Sequence, residues 1–327
     1  MSYIHRNQRY TLYKMKNNIS SIDIVVDTIL IKEYKEPLGL KSIPEDLEES
    51  EKNLYSRWIN KSVEIEDIKL ESCDKSINYI KVTAFCEFST RRMLDPNSGN
   101  LLPKKDRLNT ALIDCLFVQQ DNDVYLVVFT NNFYDLRRVR RLIGDMNLEP
   151  LTSKHHTSSD LFHWLFYKYI KDEVDLNSEI KMDNINGFTG TVINEEHLFE
   201  GKSIQTAELI ITKAFITNGY PITSLKIDLQ MPDAAINFYL SEVADGKELK
   251  IVVEKNSSTS ILFNNEDTEY ILPIYIFFYL IPKIIDLYKD DEKDFISSNK
   301  LRFLSEIGIE VIKTIMAKND LTLADIE

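Results

Sequence analysis

The sequence predicts an α+β fold in two domains, each a mainly antiparallel sheet covered by helices. Three observations lead to that expectation. Two apolar runs, Ala111 to Val118 and Val124 to Thr130, flank a polar turn at residues 119–123, and an amphipathic helical pattern follows at once. Between Leu225 and Val253, apolar and polar residues alternate through three segments separated by Pro232-Asp233 and Asp245-Gly246, the pattern of an antiparallel meander with one apolar face. Glu149-Pro150 and the polar stretch after it divide these two patterns, giving residues 1–150 and 151–327 as the expected domains.

With 327 residues and 43% hydrophobic content, the chain can bury real cores and does not have the composition of a disordered one. Its net charge of -13 is unevenly spread. Residues 1–150 hold 22 Lys+Arg against 23 Asp+Glu, whereas residues 151–327 hold 17 against 29. The first half can therefore meet a polyanion, and the second should repel one. Cys73, Cys86 and Cys115 are widely spaced and odd in number, which argues for a reducing cytoplasm and against a disulfide framework or a structural zinc site. The first residues lack the apolar stretch of a signal peptide, so a cytoplasmic location is expected. No membrane span is expected either, because the most apolar run, Ile271 to Pro282, is far shorter than the roughly 20 residues a spanning helix needs.

In chain order, Ser20 to Lys32 reads as a strand through the alternation of Ile22, Ile24 and Val26, with Asp23 and Asp27 on its solvated side. Pro44 is expected to open an acidic helix reaching Asn60, with Leu47, Leu54, Trp58 and Ile59 inward. Tyr79 to Phe88 is another strand, followed by a long loop from Ser89 to Arg107 marked by Pro96, Gly99 and Pro103. After the hairpin, Asp135 can cap a helix whose Leu136, Val139, Leu142 and Ile143 face inward and which Gly144 ends.

In the second domain, Ser158 or Ser159 can cap an aromatic-rich helix through residues 161–170. The meander follows, and residues 258–264 can add a fourth strand. Two helices should cover the sheet, Ile271 to Leu287 and Leu301 to Lys318, the latter with Leu304, Ile307, Val311, Ile312 and Ile315 inward. The acidic residues 289–294 are expected to form a solvated break between them.

Arginine placement supplies the functional lead. Four of the chain's 11 arginines, Arg137, Arg138, Arg140 and Arg141, fall on the outward sides of the predicted helix. The preceding loop carries Arg91, Arg92, Lys104, Lys105 and Arg107. If the loop lies beside the helix, one face collects nine basic groups. Arginine's planar fork suits phosphate, and such a helix can lie against a nucleic-acid backbone without reading bases.

Other chemistry finds less support. No glycine-rich phosphate loop, nucleophile elbow or protease-type cysteine motif is present. His155, His156 and His163 lie near Asp160, but without the helical pairing of a metalloprotease, and read as a hydrogen-bonded surface cluster. Asp228 (or Asp233) followed by Glu248-Leu249-Lys250 resembles the acid-then-E-x-K spacing of the PD-(D/E)xK nucleases, in which carboxylates hold a divalent metal and lysine helps activate water. Alternation on a solvated sheet face explains the same three residues.

The expectation is therefore a non-catalytic, cytoplasmic binding or regulatory protein that contacts nucleic-acid phosphates, with no metal and no cofactor. Two alternatives are a subunit of a homo- or hetero-oligomeric assembly, in which the arginines of the nearly neutral first half pair with the acidic second half, and a metal-dependent nuclease using Asp228, Glu248 and Lys250. The Ile-, Lys- and Asn-rich composition has the look of a low-GC prokaryotic or phage gene, which associates the assembly reading with anti-phage defence.

Overall fold

Runs of apolar residues at period two pair into antiparallel sheets, and amphipathic helices close over them, so the chain is mixed α+β. The computed structural model describes residues 2–39, 47–62, 64–69, 76–192, 197–243, 245–255, 257–260 and 268–325. The chain divides into two units, Arg9–Pro150, and Leu151–Glu327 together with Met1–Gln8. Residues 1–8 fall with the later residues because the opening strand β1 (Ser2–Tyr3) pairs with Ser258 and Thr259, and Ile4 N donates to Ser257 O at 2.9 Å.

In the unit Arg9–Pro150, the strands are β2 (Gln8–Met15), β3 (Glu33–Pro37), β4 (Asn53–Ile59), β5 (Glu66–Lys69), β6 (Ser76–Ser89), β7 (Leu108–Gln120), β8 (Asp123–Val128) and β9 (Leu148–Glu149). The helices are α1 (Ile22–Thr28), α2 (Glu49–Lys52), α3 (Lys104–Arg107) and α4 (Phe133–Ile143). Sheet order is β2-β8-β7-β6-β4-β3, with β5 also on β6 and β9 on β2. The central hairpin turns between Gln120 and Asp123, which pair directly, and Asp121 takes φ 55° there. Positive φ matches the twist of a two-residue hairpin loop and is tolerated by aspartate. One face of the sheet presents Val82, Ala84 and Cys86 of β6, Ile113, Cys115 and Phe117 of β7, and Val124, Leu126 and Val128 of β8. Ile22 and Val25 of α1 and Leu136, Val139, Leu142 and Ile143 of α4 close over them, each large side chain contributing about 1.5–3 kcal/mol by leaving water.

Two expected elements differ. Residues 22–28 are a helix, not a strand. Ser21 caps it, its hydroxyl accepting from Ile24 N, and Gln119 Oε1 accepts from Ile22 N at 3.1 Å. Ile22, Val25 and Ile29 are buried at helical spacing, with Leu30 beside them, so a helical period lay beneath the alternation of Ile22, Ile24 and Val26. Asp23 and Asp27 are both exposed. The helix expected from Pro44 to Asn60 is confined, within the described residues, to α2; β4 follows immediately, pairs with β6 and buries Trp58 edge-on against Phe117. Tertiary pairing overrides the helical propensity of the acidic stretch there. Pro44 itself lies outside the described residues.

In the second unit, α5 (Ser159–Ile170) is capped by Ser158, which accepts from Leu161 N. The strands β10 (Lys181–Val192), β11 (His197–Lys202), β12 (Ile222–Met231), β13 (Ala234–Ser241) and β14 (Glu248–Val253) lie in the order β11-β10-β12-β13-β14, and α6 (Ile210–Thr217) precedes β12. The meander keeps strict alternation: Leu225, Ile227, Leu229 and Met231 are buried, as are Ile236, Phe238 and Leu240, then Leu249, Ile251 and Val253. The further strand β15 (Ser258–Thr259) pairs with β13, and residues 261–264 of that expected strand lie outside the described residues.

The C-terminal helices are not separated. The helices α7 (Thr268–Tyr275), α8 (Ile281–Asp294) and α9 (Lys300–Lys318) run on through π-helical turns at Ile276–Leu280 and Phe295–Asn299. Pro273 lies within α7 and Pro282 begins α8, and wider turns are one way a helix accommodates the missing N–H and ring bulk of proline. The acidic residues 289–294 are helical rather than a break. Asp291 accepts from Trp164 Nε1 at 3.2 Å and pairs with Lys168 at 2.8 Å, so their charge marks a polar helix side, not an interruption of the chain. Tyr270–Lys318 is long and apolar enough to cross a membrane by length and composition, yet its most apolar window is 67% buried inside the protein, as in a core helix.

Candidate nucleic-acid interface

Asn132, not Asp135, caps α4: its side-chain oxygen accepts from Tyr134 N at 2.9 Å and Asp135 N at 3.3 Å. The helix thus starts early enough to include Phe133 and Tyr134 in its first turn. It ends where Gly144 adopts φ 87° and donates its N–H to Arg140 O. With Leu136, Val139, Leu142 and Ile143 inward, Phe133, Arg137, Arg140 and Arg141 fall within an arc of about 100° on the outward side. Phe133 is 69% exposed and Tyr134 65%, their rings edge to face with centroids 5.6 Å apart.

The four arginines differ in their partners. Arg138 bonds Asp135 at 2.6 Å and lies over the Phe88 ring. Arg140 pairs with Asp145 at 2.9 Å and Arg141 with Glu36 at 2.6 Å. Arg137 is exposed and makes no side-chain pair among the described residues. Lys32 adds another cation at the helix end, its Nζ donating to Ile143 O at 3.3 Å.

The basic loop and the helix meet only in part. Phe88, under Arg138, directly precedes Ser89, where β6 ends and the loop begins, and Arg91 and Arg92 are exposed within that loop. Lys104, by contrast, pairs with Glu87 at 3.0 Å and lies 4.9 Å from the centre of the Tyr55 ring. Glu87 and Phe88 are adjacent in a strand and point to opposite faces, so Lys104 is directed to the sheet face away from α4. Lys105 is exposed. Arg107 was expected to be an outward contact and is instead fully buried. It donates to Leu102 O at 2.8 Å, Glu51 O at 2.7 Å and Glu51 Oε2 at 2.6 Å, tying the base of the loop to α2. The nine basic groups therefore do not form one face.

Asp228, Glu248 and Lys250 are not brought together. β13 stands between the strands that carry them, and the register places Asp228 opposite Asn237, beyond the Phe238–Val253 pair. Glu248 is thus roughly 20 Å along the sheet and about 10 Å across it from Asp228. Glu248 and Lys250 pair with each other at 2.5 Å, while Asp228 accepts from Asn186 and burial raises its carboxyl above the usual range. No group of three or more potential metal ligands occurs among the described residues.

The expected surface histidine cluster is also dispersed. His155 is buried with Nε2 2.9 Å from Phe277 O, His163 is buried with Nδ1 2.8 Å from Ser159 O, and His156 is exposed. Burial lowers the His163 imidazole to about 4.

A cap at Asp135 would leave Phe133 and Tyr134 outside the helix, whereas the cap at Asn132 brings both into its first turn. Stepping back four residues from Arg137 along the helical face would have found Phe133, and Asn132 was the capping signal before it.

No protein-family model and no curated protein matches the chain. Among solved structures, the di-domain ARO/CYC StfQ from the steffimycin biosynthetic pathway aligns over 88% of this chain and 99% of its own, at 9% identity and a TM-score of 0.20. A likeness of that size carries no argument about this chain.

Proposed function

We propose that the protein is a non-catalytic, cytoplasmic nucleic-acid-binding protein that contacts phosphates through the outward side of α4. The observation that carries this reading is Arg137, exposed and without a pair among the described residues, on the same side as Phe133, Arg140 and Arg141. The carboxylate partners of Arg140 and Arg141 are solvent-accessible. Surface pairs of this kind are worth about 0–1 kcal/mol, so a phosphate can replace them. Arg138 has a mainly structural role under this reading, and Arg107 leaves the set of contacts. Arg91, Arg92 and Lys105 supply accessory charge.

A chain of net charge -13 binds a polyanion only through such a local exception, so affinity should be highest at low salt. Titration of a labelled 20-nucleotide oligomer at several salt concentrations tests the proposal. Binding that weakens with salt and is lost in an Arg137→Glu/Arg141→Ala protein supports it; absence of binding at low salt, or unchanged binding by that variant, overturns it.

A second reading, an assembly subunit, is favoured by the outward side of α9: the helix buries Phe303, Ile307 and Val311, while Leu301 is exposed together with Ile312 and Ile315, which were expected inward. A monomeric mass at all accessible concentrations removes its homo-oligomeric form.

A further inference from the structure

Resting on the nucleic-acid reading of α4, we infer that its ligand is single-stranded, with unstacked bases lying on Phe133 and Tyr134. Two large rings begin the helix in solvent, although α4 has a full apolar side of its own in Leu136, Val139, Leu142 and Ile143. Asn132 fixes this placement by accepting from the two N–H groups that follow Phe133, so the rings cannot turn inward without loss of the cap. Phe133 and Arg137 are four residues apart on one helix side, with about 5–6 Å between their Cβ atoms. A base stacked on the Phe133 ring would leave its own or the neighbouring phosphate within reach of the Arg137 guanidinium.

A duplex does not use this arrangement. Its base faces are covered by one another, and its grooves offer only base edges. A single strand offers a π-face at every nucleotide, and stacking on protein rings is tolerant of sequence. The edge-to-face setting of the two rings, 76° between planes, presents two differently directed surfaces. Successive bases would therefore be splayed apart instead of remaining stacked together. The same chemistry serves DNA and RNA; the 2′-hydroxyl is what separates them.

The test uses the full chain and three labelled probes: a 15-nucleotide DNA strand, the RNA strand of the same sequence, and the DNA strand annealed to its complement. The expected result is tighter binding of single strands than of duplex, by about tenfold for each base stacked. Phe133→Ala/Tyr134→Ala should remove that preference while keeping the salt dependence, and Phe133→Trp should retain it. A DNA or RNA strand bound more tightly than the duplex supports the inference, and the difference between the two strands reads the contribution of the 2′-hydroxyl. Duplex bound as well as single strands, or a preference that survives the double alanine change, overturns the inference while the phosphate-contact reading stands. Absence of binding to all three probes at low salt removes both.

Discussion

Arg138 holds its guanidinium carbon 3.9 Å from the centre of the Phe88 ring, across the packing boundary between α4 and β6. The same side chain bonds Asp135 at 2.6 Å, so a residue that reads as one more surface arginine fastens the helix to the sheet. Arg137, its neighbour in sequence, fastens nothing among the described residues. Arg138→Ala should therefore lower stability by about 1–2 kcal/mol, from the cation–π contact and the lost packing of its stem. Arg137→Ala should stay within about 0.5 kcal/mol of the unmodified protein. Urea unfolding of the two variants side by side checks both values.

Arg107 offers a sharper contrast. Its guanidinium is fully buried, three of its contacts are charge-assisted hydrogen bonds to Leu102 and Glu51, and Nη1 has no hydrogen-bond partner among the described residues. Arg107→Leu should cost about 3 kcal/mol, because it breaks these bonds and strands two carbonyl oxygens. It should also expose the loop of residues 90–103 to limited proteolysis. Equal unfolding midpoints for the variant and the parent would contradict this account.

His163 predicts a pH dependence. Burial lowers its imidazole from 6.5 to about 4 in the folded protein; the bond to Ser159 O and the nearby Asp160 oppose that shift, and Lys300 adds to it. The unfolded chain takes up a proton near pH 6.5 and the folded one only near pH 4, so between these values the unfolded state holds more protons. Stability from this group is complete above pH 6.5, falls as pH drops towards 4, and levels off below. The gap corresponds to about 3 kcal/mol. Unfolding free energies at intervals from pH 7.5 to 4 should show this slope, and His163→Leu should flatten it.

Gly190 predicts a steric limit. A Cβ at this position in β10 would stand 2.4 Å from Phe215 Cζ and 2.7 Å from Pro221 O. The ring can shift, but the carbonyl belongs to the backbone. Gly190→Ala should destabilise by about 2 kcal/mol, and adding Phe215→Leu should not restore the parent's stability, since Pro221 O stays in place. Thermal unfolding of the single and double variants checks the order.

The meander was legible from residue types because β12, β13 and β14 keep their register, so each apolar residue from Leu225 to Val253 keeps its side of the sheet. β10, which pairs with β12, was not legible. Its register shifts between Met182 and Asn184, between Ile185 and Gly187, and between Thr189 and Gly190, and each irregularity resets the period-two pattern that marks a strand. The candidate site divided in the same way. Composition located the arginines, but whether each was free, paired or buried depended on residues distant in sequence: Glu36 for Arg141, Phe88 for Arg138 and Glu51 for Arg107.

Residue pattern alone was enough for the fold class, the hairpin from Ala111 to Thr130, the meander, and the local excess of arginine within an acidic chain. Each follows from short-range periodicity or from a count. Tertiary structure decided that Ile22–Thr28 is a helix, that Asn53–Ile59 is a strand, and that Arg107 is enclosed while Arg137 faces solvent. Those outcomes depend on which distant strand, cap or carboxylate meets the segment. Burial and pairing outweigh local propensities of a few tenths of a kcal/mol per residue.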